Sequence, residues 1–522
     1  MLRRPPRARP VAGSGTPFGR PSSRLLGAVT GVVLVTATLA GCSPPERAGA
    51  GAGGTLRIAA ATDAGETLNP YASNQSPTQQ LRSALVYEGL TRLSPEGEVE
   101  WRLATDMTPD DGFRAWTIKL RPGVLFTDGS RFTSADVVAS IKHLRDPANA
   151  VQGLAFIEMI DPAAVAAVDE LTVRVGLSEP FAPFKDIWAN VLLPMTKAGS
   201  VPERPIGTGP FAVKGFAAGR QSTLERFDGY WGDRPKLGAV EITEYPSQQA
   251  QANALLSNQV DIASGATPTI AKSLAGRDDV ELLDSKGDFT LRIGLNTTVA
   301  PFDDVRVRQA LRLLVDREQV VSNAFGGYAR VANDHEGGTP RCGAPDLSQR
   351  EQDVERAKQL LAEAGHGDLS FAITTDGLLP GMRELAQVFS ENAAKAGVRV
   401  EVNVVTVPEL LSKWGQWPAF IDFNPIPYLP TVLGGLLPGR VGNATHWDDP
   451  EFVALADRLF VAPEGERCPI MNRMHRIEHE QGAMITPAFV NVLMPHRADV
   501  RGLVPDVNGR PLSFLTNVTV GR

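Results

Sequence analysis

Residues 414–430, WGQWPAFIDFNPIPYLP, crowd aromatic, acidic and amide side chains among prolines. Aromatic walls with a few convergent polar groups furnish small-ligand clefts, so Trp414, Trp417, Asp422, Phe423 and Asn424 form one candidate binding surface. The alternative is a proline-rich loop whose tryptophans simply pack on the body. Two polar loops offer amides and hydroxyls: NPYASNQS, with Asn74 and Gln75, and DIASG, with Ser264 and Gly265. As sequence, both are ordinary turns. Arg292, in FTLRIGLN, either meets an anionic ligand group or is the outward residue of a strand in which Phe289, Leu291 and Ile293 alternate.

Motifs for catalysis do not assemble. Gly207-Thr208-Gly209 runs into Pro210 and lacks the third glycine of a dinucleotide loop. There is no Gly-x-Ser-x-Gly elbow and no phosphate loop ending in Gly-Lys-Ser/Thr. His475 and His479 are four apart on a predicted helix, but Arg476 stands where a zinc hydrolase needs glutamate. With Arg473 and Glu478 alongside, that stretch reads as a solvated helix face. Asp334-His335-Glu336, just before Gly337-Gly338, reads as a polar loop. Neither a metal, nor a cofactor, nor an enzymatic activity is expected.

The N-terminus carries a different chemistry. Six arginines and no acid occupy residues 1–24, residues 25–41 are uncharged and mostly apolar, and small residues precede Cys42. That order is the layout of an export signal, and the run is short for a comfortable bilayer span of about 20 residues. Leu39-Ala40-Gly41-Cys42 resembles the lipobox of bacterial lipoproteins, which implies cleavage after Gly41, lipid on Cys42 and a place on the outer face of the cytoplasmic membrane. Residues 42–54 then form a Gly-, Ala- and Pro-rich tether. With the whole chain at −7 and the leader at +6, the remainder stands near −13, which argues against nucleic acid. Cys342 and Cys468, the two cysteines beyond the leader, either pair in an oxidising compartment or remain buried thiols.

The elements that must position these groups are mixed. TLRIAAA (55–61), AWTIKL (115–120) and LTVRVGL (171–177) read as strands. A helix is predicted after Thr133, with Asp136 at its third position and Val137, Ile141 and Leu144 inward. A second starts after Asp303-Asp304 with Val307, Ala310, Leu311 and Leu314 on one face. Helix 354–364, strand 369–375, helix 382–396 and strand 398–407 then alternate, which argues for a sheet covered by helices in a mixed α/β protein.

Five blocks also resemble a family, in its order. They are LVYEGLTRL (85–93), WTIKLRPGVLFTDGSRFTSADVVASIK (116–142), PIGTGPFAVKGF (205–216), PFDDVRVRQALRLLVDREQVV (301–321) and VERAKQLLAEAG (354–365). They resemble the dipeptide, oligopeptide and nickel class of solute-binding proteins (family 5) that serve ABC importers. The resemblance implies a two-lobed periplasmic-binding-protein-like α/β fold (type II, cluster C) with a small domain inserted in the first lobe. Lobe I would comprise 55–88, 205–293 and 485–522, the inserted domain II 89–204, and lobe III 294–484. It implies a monomeric receptor whose lobes close on a small solute, peptide or peptide-like, and hand it to ABC permease subunits. Opines, sugars, metal-chelates, or a surface lipoprotein used for sensing or hydrolysis, stand as alternatives. By the same resemblance the loops of Asn74, Gln75, Ser264 and Gly265 line the cleft. Peptide-binding members hold the ligand's amino group with a carboxylate at the position of Phe423, one residue after Asp422. Either Asp422 takes that role or the carboxylate is absent.

Overall fold

The computed structural model describes residues 53–521 except 63–64, 73–75, 150, 202, 338–341, 344 and 378. Cys42, Asn74 and Gln75 lie outside the described residues. No helix of the described residues is long and apolar enough to cross a membrane.

Local chemistry sets the helix starts. Helix Ser134–Arg145 opens where the Asp136 carboxylate accepts the Thr133 N–H at 2.8 Å, and Val137, Ile141 and Leu144 are fully buried. Helix Val305–Leu313 is capped by Asp304, which accepts the Arg306 N–H at 2.8 Å. Helix Val354–Glu363 is capped by Asp353, and Gly365 at φ +80° lets the chain leave it. Strand Ser370–Thr375, helix Met382–Ala394 and strand Arg399–Val404 follow, within a few residues of the ends the sequence predicts. At Gly207, a Cβ would stand 1.9 Å from the Val86 carbonyl oxygen. Its loop is built for close backbone packing, which accounts for the glycine without any nucleotide.

Three main sheets result. The first has seven strands in the order Val280–Ser285, Val492–Arg497, Ile262–Ala263, Thr55–Ala61, Ala239–Tyr245, Gln221–Arg226 and Phe211–Ala217. The second has six, ordered Ala329–Val331, Met484–Val490, Thr290–Leu295, Ala419–Asn424, Ser370–Thr375 and Arg399–Val404. The third is a four-stranded antiparallel sheet of Ala104–Pro109, Ala115–Leu120, Thr172–Leu177 and Ile160–Asp169.

The chain passes between the first two sheets at two adjacent places. Residues 286–289 link strand Val280–Ser285 to strand Thr290–Leu295, and Asn491 links strand Met484–Val490 to strand Val492–Arg497. Ser285 pairs with Val492 on one side of the crossing and Thr290 with Phe489 on the other. Both connections are short and lie side by side.

The second sheet buries Leu291, Ile293 and Leu295 against Leu311, Leu385 and Phe389 of its helices. Trp116 and Trp188 anchor the core of the four-stranded sheet, which runs on without a break into Tyr428, Phe452 and Met474. That continuity rests on contacts such as Phe181 against Phe460, with ring centroids 5.3 Å apart, and the 2.9 Å ion pair of Asp186 with Arg467.

Candidate functional site

At the crossing lies a cavity of about 610 Å³, within the range of small-molecule sites. Lys286, Gly287, Asp288 and Phe289 of one crossing segment line it, with Phe489 beside the other. Arg330 stacks on the Phe489 ring at 4.1 Å and pairs with Asp288. The Asp186–Arg467 pair, Cys342 and Cys468 also line it. Those cysteines are joined as a disulfide, with Cα atoms 5.2 Å apart. A smaller cavity of about 130 Å³ adjoins and shares Asn190, Asn508 and Arg510 with the first.

The acidic-aromatic stretch contributes differently from its sequence appearance. Strand Ala419–Asn424 is interior to the second sheet, so its side chains alternate between faces. Asp422 turns inward and accepts from Arg292 at 2.7 and 3.1 Å. Phe423 turns the other way and packs behind Phe289, ring centroids 6.2 Å apart. Asn424 donates to Glu336 at 2.8 Å and to Thr431 at 2.9 Å. None of the three lines the cavity, whereas the next residues, Pro425, Ile426 and Pro427, do. Trp414 and Trp417 sit beyond the far end of that strand, their indole N–H groups donating to the Val441 and Leu410 carbonyls. Neither lines the cavity, and neither do Ser264 and Gly265, which pack near Gln251 and Gln248.

Arg292 is buried and fully answered. Besides Asp422 it pairs with Glu336. Burial works against its charge, yet Glu336 and Asp422 together hold its pKa above the ordinary arginine value. The loop Asp334-His335-Glu336, polar in sequence, is buried. Asp334 pairs with Arg317 and Arg350, and Glu336 with Arg292. Opposing charges drew it inside, and its hydrophilic letters conceal that. The helix face of His475 and Glu478 needs a correction: both are buried, while Arg473 on that helix is exposed. Glu478 accepts the Glu336 N–H at 2.9 Å and the Tyr428 hydroxyl at 2.5 Å. Burial, with Glu336 adding to it, pushes the Glu478 pKa up to about 8. Among the described residues neither ring nitrogen of His475 has a hydrogen-bond partner; the ring packs on Tyr428 at 4.0 Å, and burial keeps it neutral. His479 is bonded to the Asn333 carbonyl at 2.8 Å. Among the described residues no cluster of three or more His, Cys, Asp or Glu could hold a metal.

Sequence reasoning passed over Phe289, Arg330, Asn190 and Arg510. Phe289 was visible only as a strand residue, Arg330 and Asn190 had no motif, and Arg510 follows Asn508-Gly509, a plain turn signal.

Known proteins share this chain's sequence pattern and its fold. The profile of the bacterial extracellular solute-binding proteins, family 5, matches residues 98–426. The chain is 27% identical over 356 residues to the glutathione-binding protein GsiB of Escherichia coli O1:K1, covering 65% of this chain and 67% of that one. The agropinic acid complex of AgaA from A. tumefaciens R10 superposes with a TM-score of 0.77 at 23% identity, over 90% of this chain and 99% of that one. DppA of Helicobacter pylori, in complex with the peptide STSA, superposes with a TM-score of 0.76 at 20% identity, over 90% and 98%. The profile covers more than half of the chain, and the two-lobed type II fold is common to these structures. The protein is therefore a family 5 bacterial extracellular solute-binding protein, of the kind that serves ABC importers.

Proposed function

We propose that this chain is a lipid-anchored receptor that traps a peptide-like solute in the crossing cavity and presents it to an ABC permease. The observation that carries the reading is the position of the cavity, on the two-strand connection between the first two sheets. A ligand bound there touches both sides of a hinge, so it can favour a closed form that a permease distinguishes from an open one. The reading takes lobe I as 55–88, 205–293 and 485–522, the inserted domain as 89–204 and lobe III as 294–484. Relatives named for glutathione and for a bound peptide support a peptide-like solute. The internal commitment of Asp422 to Arg292 speaks against a ligand held mainly by its amino group. The lipid anchor rests on the Leu39-Ala40-Gly41-Cys42 sequence.

The test has two arms. The purified protein should be stabilised to heat by a member of a panel of peptides, opines and sugars, and should return that solute chemically unchanged. A solute recovered as hydrolysis products would make the protein an enzyme instead. Cys42→Ser should release the protein from membranes, and a variant still sedimenting after a carbonate wash would refute the anchor.

A further inference from the structure

Around the main cavity the polar groups are answered within the protein, with few exceptions. Arg330 and Arg467 have their aspartates, and Asn333 and Gln349 donate to backbone carbonyls. Asn508 donates to the Ser94 carbonyl at 2.9 Å and to Asp506 at 2.7 Å. Lys286 is exposed at the rim.

Among the described residues two donors remain, and both line the larger and the smaller cavity. Arg510 is half-buried, and among the described residues its guanidinium has no hydrogen-bond acceptor and no carboxylate within ion-pair distance. Its neighbour Asp506 is used otherwise: the carboxylate accepts the backbone N–H groups of Asn508 at 3.0 Å and Arg510 at 2.7 Å. Asp506 thus builds the turn that presents Arg510, helped by Gly509 at φ +72°, and leaves the guanidinium free. Asn190 is the second donor. Its Oδ1 accepts the Leu192 N–H at 3.0 Å, which fixes the amide's orientation, and its buried Nδ2 has no partner among the described residues. A buried unanswered donor is costly, and one that lines the same two cavities as a cation without an ion-pair partner makes a place for an acceptor.

We infer that Arg510 and Asn190 form the subsite for a carboxylate of the solute, and so select an acidic ligand. The inference rests on the receptor reading above and names the ligand's charge. A planar guanidinium takes a carboxylate through two parallel N–H···O bonds, and the Asn190 amide adds a third from the side. Burial lowers the Arg510 pKa and Asp506 only partly offsets this, so an arriving anion relieves an existing electrostatic penalty.

The test is titration calorimetry on the full chain with matched probes: Ala-Ala and Ala-Ala-Ala, each as the free acid and as its C-terminal carboxamide. The free acid should bind at least tenfold tighter than its carboxamide. Arg510→Met should weaken the acid roughly tenfold to a hundredfold and leave the carboxamide unchanged, so that the preference vanishes. Arg510→Lys should keep part of the preference. Asn190→Asp preserves the bond to Leu192 but places an acceptor where the donor was, and should weaken the acid as well. Equal binding of acid and carboxamide, or a preference that survives in Arg510→Met, overturns the inference. So does a chain that takes none of these acids but binds a neutral or cationic solute, an outcome that leaves the receptor reading standing. A chain stabilised by no solute of any charge loses both.

Discussion

Around Arg292 each charge meets its counter-charge in contact inside the protein, whereas the Arg510 guanidinium has no ion-pair partner among the described residues. The two arginines have the same chemistry and opposite contexts. Asp422, Glu336, Asn424 and Glu478 close the first into a network that binds strands, loop and helix together. Asp506 folds the second onto a turn and leaves it facing the cavity. A satisfied network stabilises one conformation, and an unsatisfied donor waits for something from outside. The difference separates scaffold from recognition more sharply than residue type does.

The largest expected effect comes from breaking the closed side. Arg292→Met strands Glu336 and Asp422 as buried, uncompensated carboxylates and should cost about 3–5 kcal/mol by urea unfolding. A loss below about 1 kcal/mol would show that the network is solvated and that the contrast with Arg510 fails. Removing the Cys342–Cys468 disulfide, which closes a loop across a separation of 126 residues, should cost about 2–4 kcal/mol. An unchanged unfolding midpoint in the Cys342→Ser, Cys468→Ser pair would show that the cavity wall holds without it.

Glu478 sharpens the comparison through pH. Its folded pKa of about 8 lies above the ordinary 4.5, so the folded state holds a proton that the unfolded state has released. Its contribution is whole below pH 4.5 and is lost as pH rises through about 8, amounting to a few kcal/mol at most. Glu478→Gln should therefore flatten the decline of stability between pH 5 and 8. A wild-type profile already flat there would contradict the raised pKa. Smallest of all is the expected effect of Trp417→Ala on affinity, less than about twofold, since that indole is engaged with Leu410 away from the cavity. A tenfold loss by calorimetry (about 1.4 kcal/mol) would return the tryptophans to the binding surface.

Much of the fold was legible because local chemistry repeats. Thr133 with Asp136, Asp304, and Asp353 with Gly365 mark helix ends, and alternation in AWTIKL and LTVRVGL marks strands. The site was far less legible. Whether Asp422 faces a ligand or an arginine depends on a partner 130 residues earlier, and period-two alternation sends Phe423 the other way. Asp334-His335-Glu336 has a loop's composition but a core's burial, because Arg317, Arg350 and Arg292 converge on it from other elements. Arg510 acquires meaning only when Asp506 is seen to be occupied elsewhere, and no spacing along the chain records that.

The central claim is that the crossing cavity captures a small solute. Native mass spectrometry of the protein as isolated, followed by denaturing release, tests it most directly. The account predicts one small molecule per chain, recovered intact and bearing a carboxylate. An empty chain that no peptide, opine or sugar then stabilises would contradict it.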